Sequence, residues 1–188
     1  MTMKSLTVGP RWACSFFFAV TGLAYGSVMS RMPALKAQAL LSDADVGMVL
    51  LCMGLGGLCS FPLAGWAISR TSCRTVLTLA SAFLIVLFPC MGLVSGLYSA
   101  AALFALLGFA IGVNDVGINA GSILVESAMR RPVISSMHAL YSSGGLLCAL
   151  FGSCMAAFSV PPLGNFLAVA LVLLCLLPFF ARSLLRDT

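Results

Sequence analysis

Apolar residues run along this chain in long, nearly unbroken blocks, without the strict alternation of a half-buried strand or the narrow stripe of a soluble helix. Six blocks are long enough to cross a bilayer: Trp12–Ser30, Val46–Ser69, Thr75–Ser95, Tyr98 to about Glu126, Val133–Val160 and Leu163–Ala181. About 20 helical residues cross a hydrocarbon core of roughly 30 Å. The fourth and fifth blocks exceed that, so they tilt or extend into the headgroup region. The breaks between blocks carry turn chemistry. "SGLYS" joins the third to the fourth, and "SVPPLGN" the fifth to the sixth. The only substantial loop is "RMPALKAQALLSDAD", where Pro33 ends or kinks the first helix and Ser42 with Asp45 forms a capping pattern for the second.

Composition removes the soluble alternatives. Of 188 residues, 61% are hydrophobic and 8% charged, with a mean hydropathy of +1.12. Soluble domains average about 25% charged residues, enough to cover a globular surface. The expected fold is an all-α polytopic membrane protein with six transmembrane helices, embedded in the lipid bilayer. Charge then sets orientation. With the N-terminus inside, Lys4, Arg11, Arg70, Arg74, Arg130, Arg131, Arg182 and Arg186 lie on the cytoplasmic side, against Arg31 and Lys36 outside. That bias predicts two cytoplasmic termini. The net charge of +5 is therefore topological, and no basic, aromatic-bearing patch points to nucleic acid. The first block follows Lys4 and Arg11 as a signal peptide would, but its apolar core is too long and lacks an A-x-A-like site, which predicts a retained helix.

The eight cysteines form no C-x-x-C pair and no Cys/His ligand set, and read as small apolar filler. No Walker A sequence or dinucleotide fingerprint occurs, so no metal, nucleotide or covalent cofactor is expected.

Polarity is unevenly distributed among the six helices. The third and sixth carry almost no polar groups and are expected to face lipid, whereas the first, second, fourth and fifth hold the glycines and polar residues. The fourth is the most unusual. In "GFAIGVNDVGINAGSILVE", Gly108, Gly112, Asp115, Asn119, Ser122 and Glu126 recur at steps of three and four and share one helical face. An ionisable residue at such a depth is expensive and marks a functional site by default. The fifth helix runs antiparallel to the fourth. Matching depth from the turn sets His138, the single histidine, near Asn119 or Ala120, and Tyr141, Ser142 and Ser143 near Asp115. Thr21 and Tyr25 of the first helix share a face and complete the candidate cluster.

Three readings of this cluster stay open. Its groups hydrogen-bond helices together; or Asp115 carries a proton beside His138; or the stripe, with Asn119, Ser122, Tyr141, Ser142, Thr21 and Tyr25, binds a polar solute directly. Glu126 is a further proton-coupling candidate. It lies near the cytoplasmic surface with Arg130 one turn on, where a gate or an ion pair with Arg130, Arg70 or Arg74 is the leading reading. A serine hydrolase built on Ser142 and His138 lacks a strained nucleophile turn and an oxyanion hole, so catalysis is not expected.

On these residues the chain resembles the N-terminal six-helix half of a major facilitator superfamily transporter. The resemblance rests on the topology and on "GWAISRTSCRTVL" between the second and third helices. The superfamily pattern there is roughly G-x-L-[AS]-D-R-x-G-R-[KR]. Gly65, Arg70 and Arg74 match it, while Ser69, Ser72 and Cys73 replace its acidic residue, its glycine and its first basic residue. A narrower likeness is to the YbjJ-type branch of bacterial inner-membrane transporters, loosely related to fucose-permease-like carriers. It is carried by "SRMPALKAQALLSDADVG", "GVNDVGINAGSILVE" and "RRPVISSMHALYSSGG".

The resemblance implies a three-plus-three inverted repeat, a gating role for Gly65, Arg70 and Arg74, and proton-coupled movement of a small solute by alternating access. Such carriers have about twelve helices with the solute between two halves. Residues 1–188 would then be one half, partnered by a second six-helix half or another copy of the chain. The rival expectation is a non-transporting fragment in which the same polar residues only hold helices together.

Overall fold

A computed structural model gives the arrangement, and it describes residues 9–185. Lys4 and Arg186 of the charge pattern lie outside the described residues. Among the described residues seven α-helices follow in order: α1 (Pro10–Ser30), α2 (Met32–Gln38), α3 (Asp43–Arg70), α4 (Cys73–Leu87), α5 (Leu97–Met129), α6 (Ile134–Ala157) and α7 (Pro162–Ala181). Six are long and apolar enough to span a membrane, α4 counting together with the 3₁₀ turns that extend it to Leu93. The short α2 lies in the loop between the first two spans.

Local chemistry explains these ends. Ser42 and Asp45 form the expected capping box: the Asp45 amide donates to Ser42 Oγ at 3.2 Å, and the Ser42 amide donates to Asp45 Oδ2 at 2.9 Å. The third span does not stay α-helical to its end. It tightens to a 3₁₀ helix over Phe88–Leu93, where Pro89 has no amide hydrogen and its ring crowds the preceding turn. α5 stops at Arg130, which takes a left-handed conformation with φ of 50° and turns the chain into α6.

Two helix pairs, α1 with α6 and α3 with α5, make the most extensive contacts. Both are built on glycine. A Cβ at Gly22 would stand 2.0 Å from the Tyr141 carbonyl oxygen, and one at Gly26 would stand 2.3 Å from that of Gly145. In the other pair, a Cβ at Gly108 would be 1.8 Å from the Met53 oxygen, and one at Gly56 would be 2.0 Å from that of Ala105. Backbones this close are the normal means of joining helices in lipid, where no hydrophobic drive holds them.

The two crossings are copies of one another. Ala19, Gly22 and Gly26 of α1 recur in identical spacing as Ala105, Gly108 and Gly112 of α5. Tyr141, Gly144 and Gly145 of α6 correspond likewise to Met53, Gly56 and Gly57 of α3. The contacts match under this exchange: Gly22 on Tyr141 and Gly108 on Met53, Gly144 on Ala19 and Gly56 on Ala105, Gly26 on Gly145 and Gly112 on Gly57. With three helices per repeat, the second copy runs the opposite way through the membrane. The inverted repeat thus has a residue-level signature in the glycines.

Burial corrects one expectation. The third span, α4, is not mainly lipid-facing: 61% of its membrane window is buried, against 11% for α3 and 17% for α6. Leu77, Ala80, Ser81 and Leu84 of α4 pack inward, and only Leu79, Phe83 and Val86 form an outer stripe. A helix with few polar groups can fill a core as well as face lipid, so polarity alone did not separate the two. The bundle's uncovered surface lies chiefly on α3 and α6.

Arg31, counted in the sequence only as a charge on the outer side, is buried in the structure. It is 4% exposed and donates to the carbonyl oxygens of Gly152, at 3.2 Å, and Val160, at the C-terminal end of α6. Helix C-terminal carbonyls carry partial negative charge, which offsets a buried guanidinium. The same loop is tied down by Gln38, which donates to the Gly92 and Val94 oxygens at 2.9 Å, and by the Lys36–Asp43 ion pair at 2.5 Å.

Candidate functional site

The glycine crossings position the polar groups. Gly22 lies beneath the Tyr141 backbone, which pins the His138–Ser142 turn of α6 to α1. Gly112 seats α5 against Gly57 and Ser60, and Asp115 stands one turn beyond. α5 and α6 share few contacts of their own. Asp115 lies within electrostatic reach of His138 and of Tyr141, and Tyr25 of α1 lies within the same reach of Tyr141. The His138 ring rests on buried Phe18, with centroids 4.7 Å apart and planes at 64°.

Four of the expected residues therefore come together: Asp115, His138, Tyr141 and Tyr25. Among the described residues, none of their side chains takes part in a hydrogen bond within the chain. Ser142 is exposed beside them, its hydroxyl likewise free of partners among the described residues. Asn119 is exposed one turn along; its amide donates to the Asp115 backbone oxygen at 2.8 Å, which leaves its carbonyl oxygen uncommitted. The set offers one carboxylate, one imidazole, two phenols, a hydroxyl and an amide. It can hold or pass a proton and can hydrogen-bond a polar solute. No Lys or Arg belongs to it.

Thr21 and Ser122 are not part of this open set. Thr21 is fully buried, donating to the Phe17 oxygen at 3.3 Å and accepting from Asn114 Nδ2 at 2.5 Å. Ser122 is also fully buried, with its hydroxyl spent on the Asn119 oxygen at 2.8 Å. Asn114 is the centre of a separate knot. Its Oδ1 accepts from Ser81 at 2.5 Å, so one amide ties α5 to α1 and to α4. Ser81 was the missing partner in the sequence. Its signal is there: it is the one hydroxyl in the middle of the apolar "LASAFLIVLF". The helical face expected for the stripe thus splits, with Asn119 exposed, Asp115 half-buried and Ser122 fully buried.

Glu126 requires a correction. It pairs with none of Arg130, Arg70 and Arg74; its Oε2 accepts the backbone amides of Val133 at 2.8 Å and Ile134 at 3.2 Å. The reason is local. The left-handed turn at Arg130 brings the start of α6 back over Glu126, and first-turn amides have no intrahelical acceptor. A carboxylate there also complements the positive end of the helix.

The gating-loop candidates are spread along one membrane edge. Gly65 is exposed, with open space where a Cβ would go, and Arg70 ends α3 at the surface. Arg74, in the first turn of α4, donates to the Arg182 backbone oxygen at 3.4 Å. Among the described residues, no three His, Cys, Asp or Glu side chains converge as a metal site would require.

Comparison with known proteins agrees with this architecture. The chain matches no protein-family model. It is 32% identical over 171 residues, 91% of its length, to an uncharacterized MFS-type transporter of Yersinia pestis, of which it covers 44%. It is 33% identical over 156 residues, 83% of its length, to an uncharacterized transporter of Sinorhizobium fredii, of which it covers 41%. The chain thus spans less than half the length of these curated relatives. With six apolar helices in this arrangement and about a third of its residues shared along most of its length, the chain is a multi-pass membrane homologue of the MFS-type transporters, with the fold of one six-helix half.

Proposed function

We propose that this chain is one half of a secondary transporter that moves a small polar solute by alternating access, coupled to protons, in a bacterial inner membrane with both termini cytoplasmic. The observation that carries the reading is Asp115: a carboxylate within a spanning helix, facing His138 and Tyr141, with no hydrogen-bond partner among the described residues. A carboxylate retained only as interhelical glue would be bonded across helices, as Asn114 is to Thr21 and Ser81. Asp115 carries the proton and His138 modulates it; Tyr25, Asn119, Tyr141 and Ser142 contact the solute. Thr21 and Ser122 belong to the packing that holds these helices, and Glu126 fixes the α5–α6 turn.

The exposure of α3 and α6 supports a partner, either a second six-helix half or another copy of the chain, that closes the open face. Gly65, Arg70 and Arg74 would then gate at the edge where the halves meet. The positive-inside bias supports the orientation.

The test uses everted membrane vesicles carrying this chain with six further helices of the same carrier. Solutes from panels of sugars, polyols and amines are added while internal pH is followed. Solute-dependent proton movement is expected with the native chain and is lost in Asp115→Asn, with the variant still inserted at normal levels. Unchanged proton movement in Asp115→Asn would overturn the assignment.

A further inference from the structure

Between α4 and α7 a crevice opens at the edge of the bundle that carries the basic turns. It encloses about 360 Å3. Arg74 and Thr78 stand on one side and Arg182 on the other, over an apolar floor of Leu79, Pro178 and Ala181. The same two helices form a second groove toward the opposite membrane face, of about 300 Å3, walled by Val86, Pro89, Leu167 and Leu171. That far groove contains no charged residue. The helix pair is therefore chemically graded: two arginines at one end, hydrocarbon along the rest.

The two arginines line the same crevice. Arg74 donates to the Arg182 backbone oxygen, which keeps both at the same crevice. Among the described residues neither pairs with a carboxylate: the one ion pair is Lys36–Asp43, and Glu126 is committed to the start of α6. Like charges brought to one cleft at a membrane surface are stabilised by an anion between them. The apolar floor says what else that anion carries. Leu79 is 64% exposed in a span whose surroundings are hydrocarbon, so the floor continues the path of an acyl chain.

We infer that the α4–α7 crevice binds an anionic phospholipid, its phosphate between Arg74 and Arg182 and one acyl chain along Leu79 and Pro178. Basic pockets between membrane helices are recognised means of holding such headgroups. The hydroxyl of Thr78 donates to the Arg74 backbone oxygen at 2.8 Å, which fixes the turn that presents the arginine. The site shares no residue with the Asp115 set, and Arg74 is the one residue it has in common with the proposed gating edge.

The test is lipid retention by the full 188-residue chain, released from nanodiscs of phosphatidylethanolamine with a minor share of phosphatidylglycerol and weighed intact by mass spectrometry. The native chain is expected to retain phosphatidylglycerol in preference to phosphatidylethanolamine. Arg74→Gln with Arg182→Gln should weaken that retention about thirty-fold, the combined factor for two arginines at a membrane surface. Leu79→Trp, which keeps both charges but fills the floor, should weaken it too, whereas Arg130→Gln on the same membrane edge should not. Equal retention by the native chain and the double variant overturns the site. So does an unaffected Leu79→Trp, which would leave only diffuse surface attraction. Inorganic phosphate that stabilises the chain equally well in purely neutral nanodiscs would assign the arginines to a soluble anion and overturn the lipid.

Discussion

The sharpest consequence of the fold concerns Gly108. Replacing it with alanine adds one methyl group, which in the native arrangement would lie 1.8 Å from the Met53 carbonyl oxygen and 2.7 Å from its carbon. Carbon–oxygen contacts between packed helices settle near 3.3 Å. α3 and α5 must therefore move apart by roughly 1.5 Å at the crossing. The obstacle is backbone, so no rotamer change relieves it. Tilting does not help either, because Gly56 meets the Ala105 oxygen at the same crossing, 2.0 Å from its own missing Cβ. Overpacking of this kind costs about 1–3 kcal/mol, and a rigid blocker puts Gly108→Ala at the upper end. Gly54→Ala is the matched control. It lies on the same helix as Met53 with nothing within 4 Å of its Cβ position, and so keeps only the helix-propensity gain of up to about 1 kcal/mol. Thermal unfolding in mild detergent, followed by a fluorogenic thiol reagent as buried Cys14 and Cys148 become reactive, separates the two. Gly22→Ala in the sister crossing should lose as much as Gly108→Ala. If Gly108→Ala unfolds at the same temperature as Gly54→Ala, the close backbone contact, and the paired crossings with it, are refuted.

Two further outcomes follow from the polar contacts. Asn114→Val should destabilise the bundle by about 1–2 kcal/mol, because it removes two interhelical bonds of roughly 0.6 kcal/mol each and strands the buried hydroxyl of Ser81, while Thr21 keeps its bond to the Phe17 oxygen; the same unfolding assay reads it, and a loss confined to transport would contradict the packing role. Glu126→Ala should cost about 0.5–2 kcal/mol as the loss of a helix-start acceptor, with no change in accessibility at Arg70 or Arg74 to a water-soluble dicarbonyl reagent; increased arginine labelling would restore the ion-pair reading.

Most of the architecture was legible in the chain because insertion into a bilayer imposes one dominant constraint. Every backbone polar group must be satisfied within its own segment, so apolar runs of sufficient length become helices, and their number can be read directly. The Ser42–Asp45 cap was legible for the same kind of reason, since both groups act within one turn. Antiparallel depth alone set Tyr141 opposite Asp115 and His138 about a turn away, near Asn119 or Ala120; that Asp115 also lies within electrostatic reach of His138 came from the packed helices.

What the linear pattern left open was rotation and partner. Helical spacing put Asp115 and Ser122 on one face, but only the packing of α5 on its neighbours decided that Asp115 stays half-buried with an unbonded carboxylate while Ser122 is fully buried with its hydroxyl spent. Thr21 looked like a neighbour of Tyr25 until Asn114 claimed its hydroxyl from another helix. Glu126 had three arginines within sequence reach, yet the unsatisfied amides of α6 lay nearer once the chain turned at Arg130. Arg31 was legible only as a charge on the outer side, and the fold made it a buried clasp on the end of α6. Hydropathy is a property of each segment and survives without its neighbours. Hydrogen-bond choice and burial belong to pairs of segments, and here they were settled by glycines that let particular backbones touch.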